Sequence, residues 1–101
     1  MPYIKPEQRD RLDPYINALI EAINKESSDL VVPVNHLSHA GILNYVCTRL
    51  ALEVIPVRQY WAIALKSGVF RNIADEFYRR YAVPYEEEKI SSNGDVLGYS
   101  Q

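Results

Sequence analysis

Two histidines, His36 and His39, stand three residues apart, and the chain's one cysteine, Cys47, follows eight residues later. On a helix that spacing sets both imidazoles on one face, which is how a metal site begins. Zinc asks for three or four protein ligands, and a single His-x-x-His with a distant cysteine supplies too few. His36 and His39 are therefore weak metal candidates, better read as a loop residue and a residue at a helix start. Cys47 falls on an apolar helical stripe, where a thiol behaves as a small core residue rather than a nucleophile. No Gly-x-Ser-x-Gly, phosphate-cradling glycine loop or His-Glu-x-x-His occurs. No catalytic residue and no cofactor are expected from this set.

Carboxylates offer Glu53, Asp75 and Glu76 on helical segments. Helical nucleotide pyrophosphohydrolases gather such groups from facing helices around magnesium, in a denser pattern than this one. Glu86, Glu87 and Glu88 are adjacent, so on a helix they point in different directions and read as solvated surface. Lys66, Arg71, Arg79 and Arg80 interleave with Tyr78 and Tyr81, a mixture that could stack bases beside phosphates. The acids at 75, 76 and 86–88 neutralise that patch locally, so nucleic acid is not the expected partner.

The elements that must position these residues follow from composition and proline placement. The 101 residues are 48% apolar and 24% charged, the balance of one soluble globular domain spanning 1–101. An ordered core is expected over about 5–84, followed by a tail at 85–101. A globular chain of this mass folds to about 5,800 Å² of surface from about 16,800 Å², so a core needs no metal or disulfide. The formal charge of −2 gives no general attraction to nucleic acid or anionic lipid. There is no run of about 18 apolar residues to span a bilayer. A single cysteine and a polar opening, MPYIKPEQRD, carry no sign of export, so the cytoplasm is the expected location.

Pro6 opens a short helical turn, and Asp13-Pro14 reads as a cap and first residue for a helix over 14–25. Tyr15, Ile16, Leu19, Ile20 and Ile23 are spaced for one face of it. Leu30 to Val34, with Pro33 inside, reads as an edge strand or extended loop. A second helix over 38–52 carries Ile42, Leu43, Val46, Cys47 and Leu50, and Pro56 pushes Ile55 toward extended geometry. A third helical stretch over 57–81 contains Gly68, which marks either a break or close packing of a neighbouring backbone. Pro84 ends it, and Asn93-Gly94 suggests a small hairpin with Ile90 opposite Leu97. The fold class is all-α: a compact three-helix domain with a short N-terminal turn and an irregular or hairpin tail.

Met1-Pro2-Tyr3-Ile4, Arg9 to Asp13-Pro14, Gly41-Ile42-Leu43-Asn44-Tyr45-Val46, Phe77-Tyr78-Arg79-Arg80, Pro84-Tyr85-Glu86, Lys89-Ile90 and Asn93-Gly94-Asp95-Val96 occur in that order. Together they resemble a family of small bacterial and bacteriophage proteins grouped as a domain of unknown function. Family members often carry an acidic residue where this chain has Ile42, and another where it has Arg71, so a shared carboxylate site would be altered here. The resemblance implies a cytoplasmic, all-helical, phage-related protein and brings no activity with it.

Eight tyrosines against two phenylalanines and one tryptophan favour half-buried positions and interfaces. The third helical stretch has apolar residues over more than one stripe, where a monomeric bundle needs an arc of about 100°. The expected function is a non-enzymatic helical interaction protein, pairing as a homodimer, with Tyr60, Trp61, Tyr78 and Tyr81 as interface candidates. Another protein partner is a further possibility. A small metal-dependent nucleotide hydrolase is the alternative, and a nucleic-acid accessory protein a third.

Overall fold

The computed structural model describes residues 2–28 and 37–99. His36 and the strand expected at 30–34 lie outside these residues. Among the described residues four α-helices and one π segment follow in order: α1 (Pro6–Ser28), α2 (Leu37–Glu53), α3 (Tyr60–Phe77), the π segment (Tyr78–Ala82) and α4 (Val83–Asn93). No strand occurs among the described residues, and the fold is all-α. The helices form three runs, because residues 60–93 are helical without interruption. Pro2–Ala62 forms one unit and the chain from Ile63 onward another.

In the first unit, α1 starts eight residues earlier than Asp13-Pro14 suggests. Pro6 is its first residue, and the Gln8 side chain accepts the Lys5 backbone N–H at 3.1 Å. That contact is half of a capping box, and it fixes the start before Pro14 is reached. Pro14 then lies inside the helix rather than at its first position. It forgoes one backbone bond and crowds the Asp10 carbonyl, a penalty of about 3 kcal/mol that the rest of a 23-residue helix absorbs. The separate N-terminal turn is therefore fused with the first helix. Near the end of α1, buried Ser27 turns its hydroxyl back onto the Ile23 carbonyl at 2.9 Å.

α1 packs on α2. Ile42, Val46 and Cys47 on α2 are half-buried, as their spacing suggests, whereas Leu43 and Leu50 are exposed. Ser38 sits within α2 rather than capping it, and the helix closes through the Leu50 carbonyl and the Val54 N–H at 3.0 Å. Ile55 next adopts φ 53, so the extended geometry expected ahead of Pro56 is not what forms. The left-handed turn takes the place usually held by glycine after a helix. The Val57 N–H then returns to the Ile55 carbonyl at 2.7 Å, reversing the chain around Pro56 before α3.

In the second unit, Gly68 neither breaks α3 nor meets a neighbour: a Cβ there would find no atom within 4 Å. The close packing expected of it is absent among the described residues. Pro84 does not end the helical run either, and lies in the first turn of α4. The tail is helical to Asn93, and no hairpin forms. Asn93-Gly94 acts as a helix stop instead, with Gly94 at φ 87 returning its N–H to the Ile90 carbonyl at 2.9 Å. A turn closed by the Tyr99 N–H and Val96 carbonyl, at 2.9 Å, follows.

Candidate functional site

Leu65, Val69, Ile73, Phe77, Tyr81 and Tyr85 recur every fourth residue along the second unit, and each is exposed. An α-helix turns about 100° per residue, so a four-residue step drifts about 40° around the axis. From Leu65 to Phe77 the row therefore winds about 120°. Continued in α geometry, Tyr81 and Tyr85 would leave the face altogether. The π segment corrects this.

A π turn holds about 4.4 residues, so four of them fall about 30° short of a full turn and reverse the drift. The Val83 N–H bonds the Tyr78 carbonyl, five residues back, which is the π pattern. Proline explains its position. In an α-helix the ring of Pro84 would press on the Arg80 carbonyl, and the wider turn before it relieves that contact. Phe77 and Tyr81, four residues apart, stack with centroids 5.3 Å apart and planes 8° from parallel.

Polar contacts brace the same turn. The Tyr78 hydroxyl donates to both Glu86 oxygens at 3.0 and 3.3 Å, bridging the π segment to α4. That hydrogen bond, then the carboxylate's charge, hold the Tyr78 phenol above its ordinary pKa. Arg79 pairs with Glu76 one turn earlier. The Lys89 ammonium lies 5.5 Å over the Tyr85 ring. Arg80, Tyr81, Pro84, Tyr85 and Glu88 line one open groove.

Of the interface candidates, Tyr78 and Tyr81 belong to this region. Tyr60 and Trp61 stand at the start of α3 in the first unit, both exposed, with the Trp61 indole N–H donating to Gln59 at 2.7 Å. Tyr85 was not singled out by sequence, because the segment after Pro84 reads as tail. Its four-residue spacing from Tyr81 was the available signal.

His39 is half-buried in the first turn of α2 and Cys47 half-buried further along it. Among the described residues no group of three His, Cys, Asp or Glu side chains lies close enough to hold a metal ion. Glu53 is engaged by Arg49 at 3.1 Å, and Glu76 by Arg79. Arg49 also donates to the Tyr45 hydroxyl at 3.2 Å. Those contacts, Tyr45 first and Glu53 next, raise the guanidinium pKa. The four-residue spacing of this exposed Tyr45-Arg49-Glu53 ladder on α2 is itself the sequence signal for it. Lys66 is half-buried, while Arg71 and Asp75 are exposed on α3. Thus Glu53 and Glu76 are taken up in local helix pairs with Arg49 and Arg79, and the apolar row is the larger surface feature.

A family model for a domain of unknown function, DUF6899, matches residues 1–96. No curated protein and no solved structure matches the chain.

Proposed function

The chain belongs to this DUF6899 family, and we propose that it is a non-enzymatic helical interaction protein that pairs with a second copy of itself. The observation that carries the reading is the exposed row on the second unit, with Phe77 64%, Tyr81 73% and Tyr85 58% accessible. Scattered surface apolar residues need no explanation, but a contiguous aromatic row on one helix face marks an interaction surface. Among the described residues the only buried apolar side chain is that of Ala62. Burial of large side chains is what stabilises a fold, at about 1.5–3 kcal/mol each. Pairing of copies supplies that burial, and a two-fold dimer is the commonest way a single surface completes itself. A bacterial or bacteriophage origin and a cytoplasmic setting belong to the same proposal, supported by the sequence resemblance and the lone cysteine. No described helix is long and apolar enough to cross a membrane.

Sedimentation equilibrium at micromolar concentration tests the reading. The expected mass is twice the 11.6 kDa of one chain. Phe77→Ala should weaken pairing by about 2 kcal/mol, about thirtyfold, as an aromatic anchor does. A mass near 11.6 kDa throughout the concentration range overturns the proposal.

A further inference from the structure

The groove residues have a symmetry that orients such a pair. Along one face the order is Arg80, Tyr81, Pro84, Tyr85, Glu88: a cation, a phenol, a proline ring, a phenol, an anion. The midpoint of Arg80 and Glu88 is position 84, and that of Tyr81 and Tyr85 is position 83. One residue of helix is about 1.5 Å, so both pairs share a centre within that distance. Of the flanking residues, Arg79 before the centre is paired with Glu76, Glu86 after it accepts from Tyr78 and Lys89 lies over Tyr85, so the difference between the ends rests on Arg80 against Glu87 and Glu88. Among the described residues no ion pair engages Arg80, Glu87 or Glu88.

A surface that is basic at one end, acidic at the other and apolar between them is complementary to itself only when reversed. Resting on the self-association reading above, we propose that residues 79–88 form an antiparallel seam with the same residues of a second copy, on a two-fold axis near Pro84. In an isologous contact each pairing occurs twice. Arg80 of each copy faces Glu88 of the other, about 6 Å along the helix from the axis on either side. Tyr81 of each lies against Tyr85 of the other, and the two Pro84 rings meet at the centre. A parallel pairing would set Arg80 on Arg80 and Glu88 on Glu88, so like charge disfavours it. The π segment is a precondition, since it turns Tyr81 and Tyr85 onto the face already begun by Ile73 and Phe77 and leaves Pro84 beside them in the groove.

Charge reversal tests this seam in the full chain. Arg80→Glu and Glu88→Arg each place like charges across the axis twice. Each should raise the dimer dissociation constant by at least about tenfold in low salt, an effect that fades as salt screens it. The double variant Arg80→Glu/Glu88→Arg restores opposite charges across the axis and should return to about the wild-type constant. All three changes replace exposed helix formers with helix formers, so far-ultraviolet circular dichroism serves as the control for folding. A wild-type dimer indifferent to both single reversals overturns the seam and leaves self-association standing. So does a double variant no better than the singles. A monomeric wild-type chain overturns both proposals together.

Discussion

Replacing Gly68 by alanine should stabilise the protein. The residue lies in the middle of α3, and a Cβ at that position meets no atom within 4 Å. The added methyl therefore encounters neither clash nor cavity, and two effects remain. Glycine leaves more backbone freedom in the unfolded chain, and alanine has the higher helix propensity; together these give about 0.8–1 kcal/mol. For a chain of this size that corresponds to a rise in Tm of about 3–8 °C. Thermal and urea unfolding followed by circular dichroism at one fixed protein concentration is the assay, because pairing makes Tm depend on concentration. An unchanged urea slope would show that the gain is in stability and not in the amount of surface exposed. Gly68→Val provides a graded control: its β-branch limits the gain to a few tenths of a kcal/mol. A loss of more than about 1 kcal/mol in Gly68→Ala would refute the reasoning, since only an unseen close backbone could overpack against one methyl.

Two further outcomes follow from the π turn. Tyr78 should ionise at higher pH than an ordinary tyrosine, and Glu86→Gln should lower its pKa; carbon-13 tyrosine NMR across the alkaline range reads this directly. Because the folded pKa is raised, the Tyr78–Glu86 contact stabilises fully below the ordinary tyrosine pKa and is lost as pH climbs through the raised one. An unaltered Tyr78 titration in Glu86→Gln would dissociate the shift from this hydrogen bond. Pro84→Ala removes the reason for the wide turn, so α geometry should extend through it and raise isolated-helix stability. Tyr85 would then swing about 90° off the apolar face, weakening self-association by about tenfold or more. Unchanged pairing in that variant would mean the turn does not set the face.

The helices were legible in sequence, and the prolines were the source of error. Apolar spacing located α1, α2 and α3 because it follows the helical backbone period, although most of those apolar side chains are exposed in the single chain. Pro14 and Pro84 were read as boundaries, yet each removes only one backbone bond, and long flanking stretches of helix formers carry the chain past them. At Pro84 the π turn also removes the steric conflict, a solution that propensity does not encode. Asn93-Gly94 did signal a change of direction. Its left-handed glycine serves a helix end as readily as a hairpin, and only the preceding backbone decides between them. Tyr78 and Tyr81 stand out in composition, whereas Tyr85 is signalled only by its four-residue spacing from Tyr81, which counts once the segment after Pro84 is known to be helical. His36 and the apolar stretch at 30–34 fall outside the described residues.

Ile55 has a further consequence for the connection between α2 and α3. A β-branched residue at φ 53 is held where its Cβ crowds the following carbonyl, at a cost of about 1–2 kcal/mol. The bend before Pro56 therefore forms against a local penalty, and Ile55→Gly, which adopts that φ freely, should hold it with less strain. A gain of up to about 1 kcal/mol in that variant, read by thermal unfolding at one fixed protein concentration, is the expected outcome; a loss would mean that the Ile55 side chain contributes more than its backbone conformation costs.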